Sequence, residues 1–184
     1  MEVRRVEPDD WLVLRTVRLA ALADAPAAFG SSYAREVAFD ESQWRRRIAG
    51  SASFVAFAAN EPVGLVTGIA DEAAPADERH VVSMWVRADA RGTGVAATLI
   101  QAVREWARAQ GAASLSLWVA DGNDRARGSM RAAASAPPGS ASRCRATGPS
   151  RRTSSGSTCE TGVAVPPQRS ENTAWPLVMR PSAP

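Results

Sequence analysis

The run Val81-Val82-Ser83-Met84-Trp85-Val86 leads through Arg87-Ala88-Asp89-Ala90 into Arg91-Gly92-Thr93-Gly94-Val95-Ala96-Ala97. Val81–Val86 has the length and apolar character of a buried strand. From Val95 to Gln110 the residues Val95, Leu99, Ala102, Val103 and Trp106 recur at helical spacing. Arg104, Glu105 and Arg108 are expected on the opposite, solvated face, and Gly111 stands where a left-handed residue ends a helix. Between strand and helix, two glycines and small neighbours leave backbone N–H groups uncovered at a helix N-terminus. Phosphate oxygens bind well in that setting. Arg91 is expected to add a fixed positive charge at the mouth of the loop.

The loop has no Lys-Ser/Thr pair, as a P-loop requires. Gly92, Gly94 and Ala97 keep the spacing of a dinucleotide-binding fingerprint, but the acidic ribose ligand about twenty residues on is lacking. It resembles the acetyl-CoA signature of the GNAT N-acetyltransferase superfamily, Arg/Gln-x-x-Gly-x-Gly/Ala, carried here by Arg91, Gly94 and Ala96. The resemblance implies an α/β (α+β) fold, with a mixed and mostly antiparallel sheet flanked by helices. It implies acetyl-CoA as co-substrate and a primary amine, on a small molecule or a protein, as acceptor. It assigns the pyrophosphate to Arg91, Gly92, Thr93, Gly94, Val95, Ala96 and Ala97. The pantetheine falls to the strand edge at Met84, Trp85 and Val86, where one N–H would polarise the thioester carbonyl.

Upstream of this centre, Glu2–Val6 reads as a first strand. Pro8–Ala23 reads as a helix with Pro8 in its first turn, Trp11, Leu14, Val17, Leu19 and Leu22 inward, and Arg18 outward. Ala27–Tyr33 reads as a loop. A second helix starts behind Asp40, whose carboxylate can cap it, and runs through Trp44 to Ile48 before Gly50. Arg45-Arg46-Arg47 reads as a solvated face. Ser53–Ala59 and Pro62–Ala70 form a hairpin around Asn60-Glu61, and Asp71–Glu78 is an acidic loop. Downstream, Ala113–Val119 is a strand that alternates Leu115, Leu117 and Val119 with Ser116 and Trp118. Two helices, a hairpin and a strand–helix–strand crossover, in that order, are also the GNAT order.

The resemblance continues through Asn123-Asp124-Arg125-Ala126, where the family uses an Asn to touch the CoA arm, and stops near residue 128. Residues 1–128 are therefore read as one acetyltransferase domain lacking its last strands, and 129–184 as a separate tail. Residues 127–184 hold 8 of the 12 prolines, ten serines and one aromatic, Trp175, a composition expected to stay disordered. The codons of these residues are compatible with a one-base shift of the reading frame. Gly128-Ser129-Met130 then allows Leu-Tyr, and Ala133-Ala134-Ser135 allows Gly-Phe, as the family pattern asks. On this reading the Ser114–Val119 strand keeps an unpaired edge.

Composition narrows the function classes. All 22 basic residues are Arg. Residues 1–126 carry 14 Arg against 17 acids, net −3, and residues 127–184 carry 8 Arg against 2 acids, net +6. The basic charge therefore lies in the tail, which makes a nucleic-acid binder the less favoured class. The first ten residues lack the apolar stretch of a signal peptide and no run is long enough to cross a membrane, so a cytoplasmic protein is expected, and the resemblance is to bacterial members of the family. His80 is the only histidine and both cysteines, Cys144 and Cys159, sit in the tail, so no metal centre is expected. A homodimer is compatible with the sequence.

In the family a tyrosine usually returns the proton to the leaving thiolate. Met130 stands at that place, and Trp118 stands where some members carry a glutamate base. Glu78 and His80, at the start of the central strand, remain as the candidate bases. A CoA-binding protein without turnover is the alternative to an active N-acetyltransferase.

Overall fold

The computed structural model describes residues 1–119, residue 128 and residues 177–181. Its elements are β1 (Glu2–Arg5), α1 (Trp11–Asp24), α2 (Tyr33–Val37), α3 (Glu41–Ala49), β2 (Ala52–Ala58), β3 (Glu61–Ile69), β4 (Glu78–Val86), α4 (Val95–Ala109), β5 (Ser114–Val119) and β6 (Leu177–Pro181). Single 3-10 turns sit at Pro8–Asp10, Pro26–Ala28 and Ala88–Ala90.

Local sequence accounts for most of these boundaries. At α3 the Gln43 N–H donates to Asp40 Oδ1 at 2.8 Å and the Asp40 N–H to Gln43 Oε1 at 2.9 Å, a reciprocal cap of two otherwise orphaned donors. The β2–β3 hairpin turns on Ala59 (φ 46°) and Asn60 (φ 70°), the left-handed pair whose twist matches the flanking strands. The turn thus lies one residue before the expected Asn60-Glu61. Gly111 ends α4 at φ 73°.

The strands form one sheet in the order β1-β2-β3-β4-β5-β6. The first three pairings are antiparallel, while β4–β5 and β5–β6 are parallel. Strand β2 is buried on both faces and reads as a continuous apolar run for that reason. One face packs Phe54, Val66, Val81, Leu115 and Leu117 against Val95, Leu99, Ile100, Val103 and Ala107 of α4. The other packs Val55, Phe57, Leu65 and Trp85 against Leu14, Val17 and Ala21 of α1 and Trp44 and Ile48 of α3. Gly68 of β3 lets α4 approach closely, since a Cβ there would lie 2.5 Å from the Trp106 ring.

Four expectations need correction. Arg18 is buried, because α2, absent from the sequence reading, lies over that side of α1 and supplies Glu36 as its partner. Arg104 is buried too, since the covered arc of α4 is wider than its apolar stripe. Arg47 breaks the solvated triplet by turning in to Glu36 at 3.1 Å, whereas Arg45 pairs outward with Asp9 and Glu41. The edge of β5 is not open. Strand β6, from the tail, pairs with it from Leu115↔Leu177 to Val119↔Pro181, because an uncovered row of N–H and C=O groups recruits any extended segment within reach. Asn123, Met130 and the rest of the segment read as out of frame lie outside the described residues.

Candidate functional site

The chain's most irregular strand is its central one. Strand β4 pairs with β5 at four positions, Glu78↔Ser114 to Val81↔Leu117, and no further. Directly after that last pair, Ser83 adopts φ 57° and the β3–β4 register shifts, from Thr67↔Val82 to Leu65↔Trp85. A β-bulge of this kind bends its strand and re-aims it. Met84, Trp85 and Val86 therefore remain in the sheet through β3 alone. The Arg87 N–H donates to Val63 O across β3 at 2.9 Å, so alternation turns the polar groups of Val86, and of Met84 before it, toward the edge that β5 has left.

The loop after this edge is built from left-handed positions. Gly92 (φ 84°) and Gly94 (φ 90°) allow the turn, and a Cβ at either would meet no atom within 4 Å. Gly94 is the N-cap of α4 and no side chain caps that end. The first helical bond runs from the Thr98 N–H to Gly94 O at 3.1 Å, so the amides of Val95, Ala96 and Ala97 have no intrahelical acceptor. Thr93 Oγ1 turns inward and donates to Ala90 O at 2.7 Å. An open, glycine-lined loop at an uncapped helix N-terminus suits an anion with several oxygens.

Arg91 is placed differently from expectation. Its Nε donates to Val86 O at 2.8 Å, and its Nη2 to Asp24 Oδ2. The same oxygen accepts from Trp85 Nε1 at 2.9 Å. The Trp85 hydrogen bond, followed by the Arg91 contacts and against the effect of burial, holds the Asp24 carboxyl below its ordinary pKa. The guanidinium is engaged within the protein rather than offered as a free charge.

On the α1 face of the sheet the polar groups are buried. Arg18 Nε and Nη2 donate to both oxygens of Glu36, at 2.9 and 2.8 Å, and Nη1 donates to Ser83 Oγ at 3.3 Å. The guanidinium also lies over the Phe29 ring, 4.5 Å from its centroid. Burial alone would raise the Glu36 pKa, but hydrogen bonds and charge from Arg18 and Arg47, with the Ser31 hydroxyl, hold it below the usual carboxylate range. The bulge is thus anchored to α1 and α2 by one side chain.

Glu78 and His80, the two candidate bases, are brought together. Both are buried, and Glu78 Oε1 lies 3.6 Å from His80 Nε2. Asp71 Oδ2 is 4.0 Å from the same nitrogen, and Ser116 Oγ shares a 2.7 Å hydrogen bond with His80 Nδ1. Nε2 itself is buried and makes no hydrogen bond. His80 sits one residue before the last β4–β5 pair, at the foot of the opening. Sequence reasoning missed Ser116, Asp24 and Ser83. The only available signal was a polar residue inside an apolar strand, at Ser83 and at Ser116. Among the described residues no group of three or more His, Cys, Asp or Glu is arranged to hold a metal ion, and no helix is long and apolar enough to cross a membrane.

A sheet opened at its fourth strand, with a glycine loop and a helix N-terminus at the opening, is the architecture of an acyl-CoA-dependent acetyltransferase. Residues 18–132 match the Acetyltransferase (GNAT) family, and the chain belongs to that family, whose members transfer acetyl from acetyl-CoA. Solved structures agree on the fold. The acetyltransferase of GNAT family from Streptococcus pneumoniae superposes with a TM-score of 0.60 at 17% identity, over 71% of this chain and 81% of that one. The ribosomal-protein-alanine N-acetyltransferase from Brucella melitensis gives 0.57 at 21% identity, over 72% and 82%. AAC(6')-Iy in complex with the bisubstrate analog CoA-S-monomethyl-acetylneamine gives 0.58 at 16% identity, over 83% and 98%. No curated protein matches the sequence significantly.

Proposed function

We propose that this chain transfers acetyl from acetyl-CoA to a primary amine of a small molecule or a protein. The observation that carries the reading is the coincidence at β4. Pairing with β5 stops at Val81, the strand bulges at Ser83, and the freed edge of Met84–Val86 runs into the uncapped amides of Val95–Ala97. Acetyl-CoA supplies an activated thioester, and the protein must hold it, polarise its carbonyl and move two protons.

The loop Gly92–Ala97 takes the pyrophosphate on its backbone N–H groups, and the freed edge at Met84, Trp85 and Val86 takes the pantetheine amides as an added strand would. A Val86 or Met84 N–H aimed at the thioester oxygen stabilises the oxyanion formed when the amine attacks. The amine must arrive neutral. His80, with its unmet Nε2 at the foot of the opening, accepts that proton, and Glu78 Oε1 at 3.6 Å and Asp71 Oδ2 at 4.0 Å lie beside the same nitrogen. Collapse breaks the C–S bond, and the thiolate takes up the proton that the attacking nitrogen sheds as the amide forms. Asn123, which the family resemblance assigns to the CoA arm, lies outside the described residues. The names of the structural relatives include a ribosomal-protein-alanine N-acetyltransferase and an aminoglycoside acetyltransferase, which supports an amine acceptor without choosing between the two.

The test is an acetyl-CoA assay across a panel of polyamines, aminoglycosides and N-terminal peptides, reading released thiol, alongside thermal denaturation with and without CoA. CoA at 100 times its Kd should add about 2.7 kcal/mol of stability, and at least one amine should release thiol above the blank. His80→Gln should then slow transfer about 10²–10⁴-fold with CoA affinity unchanged. Stabilisation by CoA with no thiol release for any amine would mark a binding protein without turnover. Absence of both would remove the reading.

A further inference from the structure

Asp24 is the last residue of α1, a helix on the face of the sheet opposite α4. A single oxygen, Oδ2, accepts from the Trp85 indole on the freed edge of β4 and from Arg91 at the start of the glycine loop. The other arm of Arg91, Nε, donates to Val86 O, the carbonyl that closes the strand. Three pieces of chain that the sequence keeps far apart therefore meet in one hydrogen-bonded unit: the end of α1, the end of β4 and the entrance of the loop. The planar fork of arginine suits this, since its donors are fixed relative to each other, whereas an ammonium would engage at one point only.

We propose that Asp24 is a positioning residue for the phosphate loop, acting through Arg91, and that Arg91 serves as a brace rather than as a ligand of the pyrophosphate. The proposal rests on the reading of Gly92–Ala97 as the pyrophosphate site. It makes the loop's affinity depend on backbone amides held at the right spacing. Part of that spacing is set from the far side of the sheet, by α1, on which Arg18 and Asp24 both lie.

The opposing account differs in sign. If Arg91 bound phosphate as a charge, Asp24 would be its competitor, and removing that carboxylate would free a cation and tighten CoA binding. If Asp24 positions the loop, removing it slackens the loop and weakens binding, although the site becomes less negative.

The experiment is calorimetric titration of the full chain with CoA, using Asp24→Ala, Asp24→Asn, Arg91→Lys, Arg91→Ala and the Asp24→Ala/Arg91→Ala pair. The expected result is a roughly tenfold rise in Kd for Asp24→Ala, with partial recovery in Asp24→Asn, which keeps an acceptor oxygen without the charge. Arg91→Lys should bind about as poorly as Arg91→Ala, because the lysine keeps the charge and loses the fork. The double variant should bind no worse than either single one, as members of one unit do. Unchanged or tighter binding in Asp24→Ala, or full affinity in Arg91→Lys, overturns the proposal while leaving the pyrophosphate site intact. Wild-type protein that binds no CoA overturns the site and the proposal together.

Discussion

The two faces of the sheet are held by different physics. Against α4 the contacts are apolar and close: Leu99, Ile100, Val103 and Ala107 meet Phe54, Val66, Leu115 and Leu117, and a glycine stands wherever a side chain would push the helix away. Against α1, α2 and α3 the apolar cluster shares its space with buried polar groups: Arg18 with Glu36, Ser53 with Thr67, and Glu78 beside His80 and Ser116. The first face presents the uncapped helix end and the glycine loop; the second presents the bulge at Ser83 and the foot of the opened strands. Apolar packing suffices where the protein must only hold a helix in place. On the second face the buried Arg18–Glu36 pair, costly if one partner were removed, reaches the place where the backbone is bent out of regular form at Ser83.

The largest expected effect bears on the α4 face. Gly94→Glu places a carboxylate in the loop at a left-handed position, where an added Cβ meets no atom within 4 Å and the charge faces any bound phosphate. CoA binding should be lost, beyond about 100-fold, in a protein that still melts cooperatively. Gly94→Ala, which carries the backbone strain without the charge, should bind more weakly than wild type and more tightly than Gly94→Glu. Equal affinities for Gly94→Glu and wild type would sever the loop from the cofactor.

On the other face, Arg18→Ala takes the bidentate partner from buried Glu36 and leaves it to Arg47 alone, so unfolding stability should fall by about 3 kcal/mol, the low end for a broken buried pair, measured by denaturant titration. Replacing both partners, as Arg18→Met with Glu36→Leu, should cost clearly less than Arg18→Ala alone. A double variant as unstable as the single one would mean that packing, rather than the orphaned charge, sets the effect. The pair should also respond to acid. Glu36 is held below its ordinary pKa, so its contribution is complete above the unfolded-state value and is lost as pH falls through the lower folded value. Glu36→Gln should lack that share of the acid-induced loss.

The smallest effect returns to α4. Gly68→Ala puts a methyl group 2.5 Å from the Trp106 ring and should cost about 1–3 kcal/mol through displacement of the helix, with CoA affinity reduced less than by Gly94→Ala. A neutral result would show that α4 has slack, and would weaken the contrast between the faces.

That contrast also explains what could be read from residues alone. The α4 face was legible because its signals are local: an apolar run, two glycines and a 3.6-residue period lie within thirty consecutive residues, and the caps at Asp40 and Gly111 are equally local. The other face was not, because its logic joins residues distant along the chain. Arg18 looks solvated until Glu36 arrives from a five-residue helix, and Arg91 looks free until Asp24 is brought beside it. Periodicity says which residues share a face and nothing about a charge waiting on another element. Ser83 shows the same limit, since a bulge leaves no trace in an apolar pattern beyond one polar letter. The candidate bases fall between these cases: Glu78 and His80 were singled out by elimination, while Ser116, which fixes the imidazole, emerged only from the pairing of β4 with β5.

The pairing of β6 with β5 carries a consequence for how the chain reaches this state. Leu115 and Leu177 face each other across the sheet's last ladder, while β2 and β3 meet across the tight turn at Ala59-Asn60. Closing the longer loop costs roughly 3–4 kcal/mol of chain entropy by the logarithmic rule, so the hairpin forms early and the β5–β6 ladder last. Until then the outer edge of β5 is an exposed template, and at high concentration the segment that reaches it first can come from a neighbouring chain. Dilute refolding should therefore favour the monomeric ladder, and crowded synthesis its exchanged counterpart.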